Sequence, residues 1–285
     1  MVLGRNSMSL TNVAYNPTQT WANTALVHLE QQAAVPMFGD NPIELGITGN
    51  EELVLGRLRA DATYGGLFAA AFPEATGDRV TFPNIIAALG AFERRLISGD
   101  APLDRYRRGD PTAMSASALR GEALFFSEVQ ECHHCHGGFN FTIAVDHAGL
   151  AEPSAVFFNT GLYNIGGTGA YPMGNQGLFE ASQVPADRGR FRPPTLRNIA
   201  LTAPYMHDGS MATHDEVIRF YERGGRLIES GPNAGDGKLS PYKSPFVNGF
   251  ALTEAERADL LAFLEALTDQ AFVTDPALAD PFAAP

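Results

Sequence analysis

Cys132-His133-His134-Cys135-His136 is the stretch on which the reading of this chain turns. Two cysteines separated by two residues and followed at once by histidine form the C-x-x-C-H pattern of covalent c-type haem attachment. Thiols one helical turn apart can add to the two vinyl groups of one haem, and the next residue, His136, then presents its imidazole to the iron. Two other uses of the pair compete with this one. A thioredoxin-like redox pair would open a helix after a strand, whereas an amphipathic helical pattern, Ser115 to Glu131, leads into this motif. Half a zinc site would need further cysteines, and the chain has only these two. His133 and His134 read as spacers whose side chains point away from the iron.

Covalent haem attachment takes place outside the cytoplasm, so a periplasmic location is expected. Residues 1–9 carry neither a basic n-region feeding an apolar segment nor a cleavage site. The motif therefore implies an export segment not shown here, or a longer protein of which this is the C-terminal part. The 285 residues suffice for two domains, and 45% of them are hydrophobic against 18% charged, which excludes disorder by composition. Lys and Arg number 20 against 32 Asp and Glu, a net charge of −12. That balance argues against nucleic acid or an anionic membrane as partner, and permits a cationic protein without requiring one. No apolar run approaches the length of a membrane span.

Helical spacing appears over Ala25–Val35, with Pro36 expected to end the helix, then over 51–60, 64–72 and 81–97. Residues 100–112 are polar, with Pro102, Gly109 and Pro111, and mark the expected boundary between domains 1–112 and 113–285. Residues 137–195 carry many Gly, Pro and Asn and read as a long loop region wrapped around the haem. Thr213 with Glu216, and Thr253 with Glu256, fit capping boxes that open the last two long helices. The second of these, running to Leu267, could pack back on the first domain. No strands or repeats stand out. The fold class is mostly α, with two cytochrome c-like helical domains joined by long loops.

Several segments in order resemble the bacterial dihaem cytochrome c peroxidases and their relatives MauG and MbnH. They are Arg5-Asn6, Leu10 to Asn16 with Trp21, Asn41-Pro42-Ile43-Glu44, the Cys132–His136 motif, Pro194 to Ile199, Leu201 to Gly209 and the Leu252–Leu267 helix. That family carries two C-x-x-C-H motifs, and the N-terminal one, for the peroxide-reacting haem, is absent here. The resemblance thus implies an N-terminally shortened chain with an incomplete first domain; a genuine monohaem protein is the alternative.

Carried over residue by residue, the resemblance makes Glu44 the distal-pocket proton shuttle and puts Gln32 and Pro36 beside it. It places Trp21, the only tryptophan, between the haems as a stepping stone for electrons. The family usually follows this Trp with Asp-Gly-Arg; here Ala22-Asn23-Thr24 follows. Asn6, Thr202 and Pro204 match an interhaem calcium site, and His207 a position near the haem propionates. Peroxidases of the family place Met as distal ligand to the C-terminal haem, MauG-like members Tyr. Tyr221 stands at that position, with Val217, Phe220 and Gly224 expected on the same helical face.

Tyr221 points to the MauG and MbnH branch. Such an enzyme uses hydrogen peroxide to reach a high-valent haem state and oxidises a residue, expected to be Trp, of a partner protein. One alternative is a cytochrome c peroxidase reducing peroxide to water with electrons from a small redox protein. Another is a monohaem electron carrier.

Overall fold

Helix caps, more than propensity, set where the elements begin in this computed structural model, which describes residues 4–282. The chain is mostly helical and divides into two units. Residues 25–95 form one of them. It holds α1 (Leu29–Phe38), α2 (Glu51–Ala60), α3 (Ala62–Ala71) and α4 (Phe82–Glu93). The Gln31 side chain accepts the N–H groups of Val27 and His28, each at 3.0 Å, and so closes the start of α1. Pro36 lies inside α1 instead of ending it at Val35. Pro36 takes away the donor that the Gln32 carbonyl would accept, and the following loop folds back so that the N–H groups of Leu45 and Ile47 cap the last-turn carbonyls of Pro36 and Met37. Asp61 and Thr81 cap α3 and α4 by accepting backbone N–H groups. A two-pronged ion pair from Arg94 to Glu30, at 2.5 and 2.9 Å, joins the end of α4 to α1. That pair pulls the Glu30 carboxyl down to about 2.

Residues up to 24 and from 96 onward form the other unit. Its helices are α5 (Pro102–Arg107), α6 (Ala116–Phe125), α7 (His133–His136), α8 (Phe179–Ser182), α9 (His214–Arg223), α10 (Glu254–Glu265) and α11 (Gln270–Val273). A two-residue antiparallel ladder pairs β1 (Leu227–Ile228) with β2 (Gly235–Asp236), too short for a period of two to register in the sequence. The core lies between α6 and α10. Phe125, Phe141 and Phe263 meet there with ring centroids 5.1–6.1 Å apart. Arg120 and Ser117 of α6 both bond the Asp259 carboxylate of α10.

The expected boundary at 100–112 is corrected by the structure. Pro102 occupies the first turn of α5, where its missing N–H costs nothing, and Leu103 is 1% exposed in the α6–α10 core. The division falls at residues 24/25 and 95/96 instead. The first 24 residues side with the larger unit because Asn12 is buried there, donating to the Ser98 carbonyl at 2.9 Å and accepting the Ser98 N–H at 2.7 Å. α10 packs on α6 of its own unit. α6 itself stops at Phe125 and does not reach Glu131. The Ser127 hydroxyl takes the N–H groups of Val129 and Gln130, and Glu131 adopts a left-handed φ of 53°.

Gly121 sits where α6 and α10 meet, and a Cβ there would fall 2.0 Å from the Asp259 carbonyl oxygen. Gly121→Ala should therefore lower stability by about 1–3 kcal/mol. Gly56, inside α2 with open space around it, provides the opposite case: Gly56→Ala should gain about 0.5–1 kcal/mol. Denaturant unfolding of the haem-loaded protein checks both; equal effects would mean the α6–α10 contact is looser than described.

Candidate haem site

α7 sets Cys132 and Cys135 one turn apart, with the His136 N–H donating to the Cys132 carbonyl at 2.9 Å. The Ile143 N–H returns to the Cys135 carbonyl at 3.0 Å, folding the following loop against the helix. His136 Nδ1 lies 3.1 Å from the Phe141 carbonyl oxygen. A carbonyl only accepts, so Nδ1 carries the proton and Nε2 keeps its lone pair, as a metal ligand must. Burial pushes the His136 imidazole down to about 4, so it is neutral at pH 7. Burial also pushes both cysteine thiols up to about 12. A redox pair needs a stabilised thiolate, and this one lacks it.

Cys132, Cys135 and His136 line a large, mainly apolar cavity together with Phe125, Leu196, Ile199, Leu260 and Leu264. α9 presents His214, Val217, Ile218 and Tyr221 to the same cavity, the i, i+3, i+4, i+7 spacing of one helical face. Tyr221 is thus brought to the haem motif, but with different neighbours from those expected. Phe220 turns into the adjoining cluster of Leu162, Tyr163 and Tyr171, and Gly224 ends the helix with φ 79° against the Asn248 backbone. The Thr213 capping box that starts α9 is formed, Glu216 N–H donating to the Thr213 hydroxyl at 3.2 Å and its carboxylate accepting the Thr213 N–H at 3.1 Å.

Two polar side chains on the cavity wall lack what their burial demands. Arg192, 2% exposed, donates to the Thr20 carbonyl, the Asn16 side chain and the Met8 sulfur, and no carboxylate among the described residues pairs with it. Burial lowers it to about 10, so it remains a cation. His207 stacks on Phe191 at 3.6 Å, and its buried Nε2 has no partner. Burial holds this imidazole well below its ordinary range. A haem bears two propionate carboxylates, and a buried cation calls for such a partner. Paired thiols, a neutral imidazole, apolar walls and an uncompensated guanidinium fit a c-type haem. Sequence patterns did not single out Arg192; a lone Arg ahead of Pro193-Pro194 carries no local signal. Met206 also lines the cavity, so a thioether is present although none lies at the Tyr221 position.

Trp21 borders the same cavity, its indole N–H donating to the Asn6 carbonyl at 2.7 Å. The Asn6 amide in turn meets the Pro204 carbonyl at 2.6 Å, while the Thr202 hydroxyl turns to the Ile199 carbonyl. Gln32, Pro36 and Glu44 belong to the 25–95 unit. Gln32 and Pro36 lie four apart on α1, and Glu44 is exposed on the loop that follows.

The chain is similar in sequence and fold to known proteins. Residues 1–112 match the family model described as di-haem cytochrome c peroxidase. Cytochrome-c peroxidase IdrP1 of Denitromonas iodatirespirans is 33% identical over 97% of this chain and 70% of its own length. Methylamine utilization protein MauG of Methylorubrum extorquens is 33% identical over 97% and 68%. The crystal structure of a MauG-like protein associated with microbial copper homeostasis superposes with a TM-score of 0.95 at 48% identity, covering 99% of this chain and 80% of that one. The chain belongs to the di-haem cytochrome c peroxidase family, whose members are haem oxidoreductases.

With one pair of cysteines, this chain should carry one covalent haem when exported in a host with c-type maturation. Intact mass would show a single haem adduct, lost in the Cys132→Ala, Cys135→Ala double variant. Two adducts, or none in the parent, would refute the assignment.

Proposed function

We propose that the protein acts as a MauG-like member of its family in the periplasm, coupling hydrogen peroxide to the oxidation of a residue, Trp being the expected one, on a partner protein. The observation that carries this reading is Tyr221 on the wall of the cavity that Cys132, Cys135 and His136 line. Haem c, when bound, supplies reversible one-electron chemistry at iron and, at the family's second haem, a site for peroxide. Peroxide takes up two electrons and two protons to give two waters, and the electrons come from the partner.

Cys132 and Cys135 would anchor the group and His136 Nε2 would ligate it. Arg192 and His207 would face its propionates. Tyr221 would supply a phenolate oxygen. Burial raises this phenol above its ordinary range, so it holds its proton until a metal displaces it. A hard anionic oxygen favours the oxidised iron, where a thioether would favour the reduced one. Trp21, edge-on to His207 with centroids 6.4 Å apart, would be the stepping stone for electrons. Glu44 would move the proton during peroxide cleavage, with Gln32 and Pro36 shaping the space around it.

Calcium is proposed at Asn6, Thr202 and Pro204. The amide nitrogen of Asn6 now meets the Pro204 carbonyl; turning the amide would set two oxygens face to face, an arrangement that a hard cation stabilises.

Replacing Tyr221 separates the MauG-like reading from the peroxidase one. Tyr221→Phe should change the ferric absorption and EPR spectra, and Tyr221→Met should raise the haem potential, while Met206→Leu leaves the spectra unchanged. The reverse pattern would make Met206 the ligand and favour a cytochrome c peroxidase.

Glu44 has its own test. In protein carrying both family haems, Glu44→Gln should slow the reaction with peroxide by about 10²-fold or more, since a positioned proton shuttle contributes roughly that much. Stopped-flow traces at the parental rate would reduce Glu44 to a loop carboxylate.

A further inference from the structure

The two residues between the haem-binding cysteines converge on a carboxylate. His133 Nε2 lies 3.5 Å from one oxygen of Glu128, and His134 Nε2 lies 3.2 Å from the other. One donor atom from each of the three residues falls within 4.8 Å of the other two. Neighbouring residues on a helix normally point about 100° apart, yet these two rings stand with centroids 4.2 Å apart. The His134 ring lies flat on Phe246, 11° off parallel at 4.5 Å, and His133 packs beside Phe126 at 6.0 Å. The backbone beneath them is α7, and the loop bearing Glu128 is held by the Ser127 turn. The cluster is therefore shaped before any ligand arrives.

We propose that Glu128, His133 and His134 form a binding site for a divalent transition-metal ion of the zinc and copper class, on the surface beside the haem-attachment helix. Two imidazole nitrogens and one carboxylate oxygen are the donor set of open zinc sites, and imidazole also suits Cu²⁺. Ligands at about 2.0–2.1 Å around a tetrahedral ion stand about 3.3 Å from one another; here each Nε2 already lies 3.5 or 3.2 Å from one of the two Glu128 oxygens, so the carboxylate reaches both rings. Glu128 is largely exposed, its side chain 77% accessible, so ions reach the site and a water can complete the shell. Binding through Nε2 shifts the ring proton of His133 to its buried Nδ1, which has no partner. That cost places the affinity below that of a closed structural site. By the usual order of divalent affinities Cu²⁺ binds more tightly than Zn²⁺. The site rests on neither the identity of the distal haem ligand nor the peroxide chemistry.

Isothermal titration of the haem-loaded protein with ZnCl₂ and, separately, CuSO₄ tests it, with EPR of the Cu²⁺ form reporting nitrogen ligation. One ion should bind per chain, with affinity reduced about 100-fold or more in Glu128→Ala and in His134→Ala, as loss of a direct ligand must exceed the 10–100-fold typical of an outer-shell partner. His147→Ala, outside the cluster, should bind as the parent does. Glu128 lies outside the C-x-x-C-H pattern, so its variant keeps the haem and remains informative if His134→Ala matures poorly. No binding, or binding that Glu128→Ala leaves intact, would overturn the proposal.

Discussion

The larger unit is organised around a volume that its own side chains leave open. Cysteines, an imidazole, a phenol and a guanidinium all border the cavity between α7, α9 and α10, and apolar groups supply the rest of its wall. The cavity, the neutral His136 and the uncompensated Arg192 make sense together once a planar, doubly anionic group bonded to Cys132 and Cys135 is counted among the contents.

Behind the cavity walls, buried amides tie distant segments of this unit together. Asn12, in a left-handed conformation, donates to Ser98 and to the Asn140 side chain. Thr195 donates to the Asn140 carbonyl at 2.6 Å. Asn198 accepts the Asp269 N–H at 2.7 Å, and the Asp269 carboxylate receives Ser98, Gly99 and Asp100. Burial alone would raise that carboxyl, but these hydrogen bonds, with one from the Phe272 N–H, outweigh it and hold it below its ordinary range. The first residues of the chain, the segment near 98, the loop after α7 and the C-terminal helices are thereby tied into one frame.

The candidate metal cluster follows from the same geometry. α7 is a single turn that carries the C-x-x-C-H motif, and its two spacer residues, His133 and His134, face Glu128. The two residues in the middle of the motif face away from its cysteine-lined cavity, and Glu128 stands where both rings point.

Much of the site was legible in the sequence because its signals are local. The C-x-x-C-H turn and the Thr213 and Thr253 capping boxes all depend on residues within a few positions of one another, and each forms in the structure. What the tertiary structure alone decided involves partners far apart in the chain. Asn12 meets Ser98 across 86 residues and thereby assigns the N-terminal segment to the C-terminal unit. Leu103 joins the α6–α10 core and turns an expected linker into part of a domain. Arg192 becomes notable only because folding buries it without an acid, and the last carbonyls of α1 are capped only because Leu45 and Ile47 return to them. Hydrogen bonds within a turn are written in adjacent residues. Burial, and the pairing that burial demands, arises only when distant segments exclude water together.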